Sequence, residues 1–505
     1  APAGAKGWRR PKARRPRGLI DRRGAMLSAE RALVAKIGAV YEAWGFEPLE
    51  TSAFEYADAL GKFLPDQDRP NEGVFALQDD DEQWLALRYD LTAPLARFAA
   101  ENYDQLPKPY RRWQSGPVWR NEKPGPGRFR QFVQCDADTV GSASPAADAE
   151  MIAMACAALE AAGVPRGQYV LKASTRRLLD GLLERIAPPG ADAVQTRLTI
   201  LRAIDKLDRL GVEGVRLLLG AGRKDESGDF TKGAGLAADA IAQVEAFLLA
   251  RDPESRAVTI DNLAKAVGDT QAGAAGVVEL REIDVALSAL GVGQDQAIID
   301  PTVVRGLEYY TGAVFEAELL IEAKDEKGKP IRFGSVGGGG RYDDLVSRFR
   351  GEAIPATGFS VGVSRLLAAL EAIGQGAAEP FGPVVVLAMD KAATAEYFAM
   401  AAELRNAGVA AEVYLGSAGM KAQLKYADKR RAPVAVIVGG DELAAGTITA
   451  KNLILGDRMS ALAGDDRDAY NKLREQVQVT APRAELAATV KRLIADAKKL
   501  VGDAS

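Results

Sequence analysis

Histidine is absent from all 505 residues of the chain, where ordinary usage would supply on the order of ten. That absence excludes Ser-His-Asp and Cys-His nucleophile systems and every metal site built on imidazole. Cysteine is nearly absent as well. Cys135 and Cys156 stand alone, too few for a disulfide framework or a thiolate zinc site, and a reducing cytoplasmic setting is expected. No apolar run approaches the length that spans a bilayer, so no membrane partner is expected. Neither sign of charge is in excess, with 65 basic against 69 acidic residues and a net charge of −4. A nucleic-acid partner would have to be met by a local basic patch rather than an overall field. The chemistry must run on carboxylates, arginines, lysines, hydroxyls and backbone amides.

What is present is an ordinary globular composition, long enough for two to four domains. Residues 26–44 carry apolar side chains at helical spacing and stop at Gly45, a helix-ending signal. Strand character is expected at 46–55 and 84–90, and a helix at 91–102. Strands at 117–122 and 128–141 flank a Gly/Pro loop at 123–127, which reads as a β-hairpin with a long loop. A helix should end at Gly163, followed by a strand at 167–174. From about 176 to 295 the texture becomes helical, like an insertion. Strand character returns at 298–320, and a strand running into a helix is expected at 358–374. Residues 374–380 read as a linker. Beyond it, strands alternate with helices, which implies a small α/β domain with a largely parallel sheet.

The chain has no phosphate-binding GxxxxGK[ST] loop, and its run GGGGRYDD lacks the spacing of a dinucleotide fingerprint. More informative are the arginines on strands or at strand ends: Arg120, Arg130, Arg305 and, at the start of a helix, Arg365. Taken singly, each would be read as a surface salt bridge. Together their bidentate forks suit a triphosphate attacked at its α-phosphorus. The segment RGLEYYTG (305–312) adds one cation, one carboxylate and two adjacent phenols between apolar flanks. As a strand it would place Arg305 and Tyr309 on one face and Tyr310 on the other.

These stretches resemble a known family. GPVWRNEKPGPGRFRQFVQCDADTVG (116–141) is similar to motif 2 of class II aminoacyl-tRNA synthetases, and GFSVGVSRL (358–366) to their motif 3. VVRGLEYYTGAVFE (303–316) resembles the segment peculiar to histidyl-tRNA synthetases. SVGGGGRYDDLV (335–346) resembles that family's Gly-rich strand, and LRYDLTAPLARF (87–98) its amino-acid-binding strand. The five occur in order across nearly the whole chain.

The resemblance implies an α/β protein of three parts. A class II catalytic domain with a mixed antiparallel sheet would occupy 1–175 and 296–375. A helical insertion would fill 176–295, and a C-terminal α/β anticodon-binding domain 381–505. It implies activation of L-histidine by ATP and Mg²⁺, transfer to a cognate tRNA, a homodimer, and no tightly held protein metal site. Arg120 would bind the α-phosphate, Glu122 adenine, and Phe132 would stack on the base. Arg128 and Arg365 would hold the outer phosphates, and Arg305 would stabilise charge at the α-phosphate. Asp90, Thr92 and Gln134 would hold the substrate amino group, while Asp138 and Tyr310, with Tyr309 near by, would read the imidazole. Exposed lysines Lys421, Lys425 and Lys429 at i, i+4 spacing, and Lys451 with Asn452 and Leu453, would meet the tRNA backbone.

The chain also departs from the family pattern. Ser52 stands where motif 1 usually has proline, Ser364 where motif 3 has Glu, and Glu308 replaces a common Asp. Val133 replaces a frequent histidine and should need a dry contact. Gly125 follows Pro124 where many relatives have Gln, which implies an altered reading of the tRNA acceptor end. Two other readings share parts of this pattern: a non-catalytic histidine-sensing regulatory subunit, and a class II synthetase for another amino acid.

Overall fold

The computed structural model describes residues 12–63, 73–123, 129–186, 193–204, 206–224, 228–304, 310–324, 328, 330–331, 333–375, 381–455 and 477–502. The chain forms two compact units, Ala1–Gly376 and Ala377–Ser505.

The first unit is built on an eight-stranded sheet. Its strands are β1 (Glu47–Pro48), β5 (Tyr110–Trp119), β6 (Gln131–Val140), β7 (Tyr169–Thr175), β10 (Ala297–Ile299), β11 (Ala313–Leu319), β14 (Gly334–Arg341) and β15 (Ala356–Gly362). Their spatial order is β1-β5-β6-β15-β14-β11-β7-β10. The two outer pairings, β1 with β5 and β7 with β10, are parallel. The inner ones are antiparallel. A small sheet of β2 (Phe54–Tyr56), β3 (Ala76–Gln78) and β4 (Trp84–Leu87) stands apart, in the order β2-β4-β3. Arg88 ties it to β5, with Nε donating to Pro117 O at 3.0 Å and Nη1 to Thr51 O at 2.8 Å.

One face of the large sheet is dry. Cys135, Ala137, Phe315 and Phe359 point into a core closed by α1 (Gly24–Ala43), α3 (Pro145–Ala162) and α11 (Val363–Ala372). Helix α3 is buried along most of its length, and its ends follow local chemistry. Ser144 Oγ accepts from Ala146 N at 3.3 Å, Pro145 opens the helix, and Gly163 closes it at φ 108°, a left-handed conformation that favours glycine. Helix α2 (Thr92–Asn102) begins where Asp90 Oδ1 accepts from Ala93 N at 2.9 Å and Thr92 N at 3.2 Å.

Between β7 and β10 the chain leaves the sheet and returns to it beside the strand it left. The excursion comprises α4 (Arg176–Ile186), α5 (Ala193–Ile204), α6 (Leu207–Leu219), α7 (Ala238–Leu248), α8 (Arg256–Val267) and α9 (Gln271–Ala289). It also holds a hairpin that its helical texture hides, β8 (Gly222–Lys224) with β9 (Phe230–Lys232). A second short pair, β12 (Ala323–Lys324) with β13 (Pro330–Ile331), precedes β14, and α10 (Asp344–Arg350) follows it.

Several strand bounds differ from the expectation. The stretch 46–55 splits into β1 and β2, because Ser52 makes a turn in which its Oγ accepts from Phe54 N at 3.2 Å. The first hairpin strand begins at Tyr110, not 117, and stops at Trp119. The run 298–320 is not one strand. It breaks after Ile299, and β11 starts at Ala313, so Tyr310, Thr311 and Gly312 are loop.

In the second unit, β16 (Val384–Val386), β17 (Ala411–Val413), β18 (Val434–Ile437), β19 (Thr447–Asn452) and β20 (Gln478–Pro482) form a sheet of order β17-β16-β18-β19-β20. The expectation of a largely parallel sheet holds for β17, β16 and β18 but not beyond. β19 runs antiparallel to both neighbours. Helices α12 (Thr394–Asn406), α13 (Met420–Lys429), α14 (Gly440–Ala445) and α15 (Leu486–Gly502) complete the unit.

Candidate functional site

The polar face of the large sheet is laid out by strand register. Val133, Cys135 and Ala137 of β6 enter the dry core, so Gln134, Asp136 and Asp138 take the opposite face. Three rows cross this face. Arg112 of β5, Asp138 and Gly358 of β15 form one, Gln114, Asp136 and Ser360 the next, and Gly116, Gln134 and Gly362 the third. Two glycines keep the floor low. A Cβ at Gly358 would lie 1.9 Å from Asp138 Oδ1, and one at Gly340, opposite Gly358 on β14, would lie 2.8 Å from the Tyr310 ring.

Asp138 is held from two sides. Arg112, completely buried, places Nη2 2.8 Å from Asp138 Oδ2 and donates from the same nitrogen to Leu91 O at 2.9 Å. The Tyr342 hydroxyl donates to Asp138 Oδ1. Burial pushes the Asp138 carboxyl above the usual range, and Arg112 and Tyr342 pull it back. Desolvation also raises Asp90, against its backbone donor Ala93 and the nearby charge of Arg120. Gln134 donates from Nε2 to Ser360 Oγ at 2.5 Å, leaving a buried Oε1 with no hydrogen-bond partner among the described residues.

Arg120 follows β5 by one residue. Its N–H donates to Arg130 O at 2.9 Å, its Nε to Tyr89 O at 3.3 Å, and its guanidinium carbon lies 5.1 Å above the Phe132 ring. That stacking orients a cation beside the polar floor. Glu122 is exposed, and its carbonyl accepts from Arg130 Nε at 2.8 Å. Arg365 is exposed in the first turn of α11 and donates from Nη1 to Ser335 O at 2.6 Å. Ser364 beside it accepts from Val133 N at 3.5 Å, while the Val133 side chain is buried in the core. Serine here ties α11 to β6, and valine meets a dry contact.

Tyr310 lies against Gly340 and packs on the cluster that contains Tyr342. Its loop is fixed by Thr311 N donating to Arg341 O at 2.8 Å and Arg176 N donating to Gly312 O at 2.9 Å. Thr92 is half-buried at the start of α2. Arg128, Arg305, Glu308 and Tyr309, with Pro124 and Gly125 of the motif 2 loop, lie outside the described residues. The floor thus collects Gln134 and Asp138 directly, with Tyr310 over Gly340 and Arg120 near Asp90. Arg112, Asp136 and Tyr342 belong to it too and were not among the expected site residues. A longer first strand, starting at Tyr110, would have set Arg112 opposite Asp138 by register alone.

In the second unit, Lys421, Lys425 and Lys429 are exposed on α13. Arg430 beside them is paired with Glu412, at 2.9 Å. Lys451 on β19 is half-exposed, but its expected companions are structural. Asn452 is buried, donating from Nδ2 to Leu493 O at 3.3 Å and accepting from Leu455 N at 3.0 Å, and Leu453 is buried as well. Among the described residues no group of three or more Cys, Asp or Glu is placed to hold a metal ion, and no helix is long and apolar enough to cross a membrane.

The sequence matches the family model "Histidyl-tRNA synthetase" over residues 18–366 and the model "Anticodon binding domain" over residues 383–493. It is 63% identical over 488 residues to a histidine–tRNA ligase of Caulobacter vibrioides, covering 96% of this chain and 97% of that protein. It is 57% identical to one from Rhodopseudomonas palustris, covering 96% of each. Among solved structures it resembles histidyl-tRNA synthetase from a Nostoc species, with a TM-score of 0.71 and 28% identity over 96% of this chain and all of that one. The chain belongs to the histidyl-tRNA synthetase family of class II aminoacyl-tRNA synthetases, and its reaction is the ATP-dependent attachment of histidine to tRNA.

Proposed function

We propose that the floor of β5, β6 and β15 holds histidine for attack on ATP, giving histidyl-adenylate and pyrophosphate before the histidyl group passes to the 3′ end of the cognate tRNA. The observation that carries this is Asp138, braced by the buried Arg112 and by the Tyr342 hydroxyl at the centre of the polar face. A neutral imidazole offers one donor and one acceptor. Asp138 takes the ring N–H, and a tyrosine hydroxyl, Tyr310 or its neighbour Tyr309, donates to the other nitrogen. A ligand without that pair leaves buried groups unmatched, which is costly. Gln134 Oε1, buried and without a donor among the described residues, suits the substrate ammonium, with Asp90 and Thr92 beside it.

The substrate carboxylate is already ionised, so its attack on the α-phosphorus needs no general base. Catalysis rests on positioning and fixed charge. Arg120 grips the α-phosphate, Arg305 neutralises charge as the P–O bond forms, Arg128 and Arg365 hold the outer phosphates, and Glu122 and Phe132 take the adenine. Mg²⁺ enters with the triphosphate rather than on a protein site. The lysine face of α13, with Lys451, meets the tRNA backbone. The free, buried Cys135 and Cys156 suit a reducing cytoplasm. The domain reading is the one implied above, with 176–295 as a helical insertion and 381–505 as the anticodon-binding part. An exposed apolar face on the small sheet supports a homodimer.

A regulatory subunit that merely senses histidine would use the same pocket without needing Arg305. Histidine-dependent exchange of pyrophosphate into ATP separates the two. Arg305→Ala should lower exchange by about 100-fold or more, the usual scale for removing one charge-stabilising group. Exchange that survives the substitution unchanged refutes the catalytic role.

A further inference from the structure

The reaction leaves the carboxyl group of Asp136 without a task. It is 1% exposed and sits on β6 between Gln134 and Asp138, with Gln114 opposite it on β5 and Ser360 opposite it on β15. Neither oxygen has a hydrogen bond of good geometry among the described residues. The charged and titratable groups around it are Asp138 and Cys135 on its own strand, Arg112 on β5, Asp90 before α2, Arg88 after β4 and Tyr41 on α1. Arg112, the fully buried cation among them, places Nη2 on Asp138, and its buried Nε and Nη1 make no hydrogen bond to Asp136 or to any other described group. An ionised carboxylate buried without partners is far costlier than a protonated one.

We infer that Asp136 carries a proton in the empty site and releases it when the substrate ammonium docks at Gln134 and Asp90, which couples amino-acid binding to proton release. This rests on the histidine-pocket reading above. The Asp136 O–H bond breaks, the proton passes to bulk buffer, and the carboxylate left behind becomes a counter-charge for the ammonium. Burial and Asp138 together push the Asp136 carboxyl up to about 8, against the pull of Arg112 and then of the Ser360 hydroxyl. A cation close by lowers that value in the complex. Affinity for histidine should therefore rise with pH between the two values and level off above about 8.

The test is calorimetric titration of histidine into the full-length enzyme at pH 7.5, in phosphate and in Tris. Their different ionisation enthalpies report the protons released. The free imidazole itself contributes about 0.1 proton at this pH. The wild-type protein should release about half a proton to one proton in total. In Asp136→Asn the release should fall to the ring's own share. The variant's affinity should stop rising with pH, ending about tenfold below wild type at pH 8.5. An unchanged release or an unchanged pH slope in Asp136→Asn overturns the proposal. Should that variant not fold, a wild-type release no larger than about 0.1 proton overturns it equally. Failure of the pocket reading looks different, because the wild-type protein would then show no histidine binding and no histidine-dependent exchange.

Discussion

Gly358 shows how tightly the Asp138 carboxylate, proposed above to read the imidazole, is fitted. Its backbone needs no unusual angle, so what forbids a side chain is space: a Cβ would fall 1.9 Å from Asp138 Oδ1. Gly358→Ala must displace the carboxylate from Arg112 and Tyr342 together. The KM for histidine in pyrophosphate exchange should rise about tenfold or more, the effect of losing roughly one good buried hydrogen bond. The KM for ATP should stay put, since Arg120 stands on Phe132 and Tyr89 rather than on this row. Equal changes in both constants would mean that the floor had collapsed as a whole. Asp138, Gln134 and Asp90 could be proposed from the sequence because they sit inside recognisable motifs. Arg112 and Tyr342 were not. Their roles come from pairing across strands, and a period-two pattern says which residues share a face without saying which strand lies alongside.

Helices were more legible than strands for the same reason. Helix α3 announces itself through Ser144, Pro145 and Gly163, all local signals. Strand β11 is placed by its partners, and the loop that anchors Tyr310 reads in sequence as more of the same strand because the backbone bonds to Arg341 and Arg176 that hold it come from distant segments. The antiparallel half of the second sheet was hidden likewise, since β19 and β20 are distant in sequence and meet only when folded. Helix α13 makes the element-scale prediction. Its inner residues Gln423 and Ala427 are buried, which leaves Lys421, Lys425 and Lys429 on a solvent face free of the constraints of packing. Replacing Lys425 and Lys429 by Gln should weaken tRNA binding and reduce the slope of log affinity against log salt by about one per lost phosphate contact. A filter-binding series with an unchanged slope would make them solubilising charges instead.

Assembly is where an apolar surface has to be explained. Across the small sheet of the first unit, Tyr56 lies opposite Leu85, which lies opposite Leu77, and Phe54 lies one row away. Phe54, Tyr56 and Leu77 are 42%, 55% and 45% exposed. Phe54 and Tyr56 border a groove of about 530 Å³ that Leu85, Arg97 and Phe349 also line. Contiguous apolar surface of this kind is uncommon on a protein that works alone. A second copy of the same chain would bury it symmetrically. Ser52 lies in the same groove, so the serine that replaces the usual motif 1 proline sits at the edge of this face, where its turn sets the start of β2. A charge at a central position of such a patch would have to be desolvated among apolar side chains, which is costly. Tyr56→Glu should therefore weaken self-association by about thirtyfold or more, the scale of one strong interface residue. Sedimentation velocity over a concentration series reads this directly: a dimer for the wild-type protein, and a shift toward monomer in the variant at the same concentration. A variant that sediments as the wild type does would remove the small sheet from the interface.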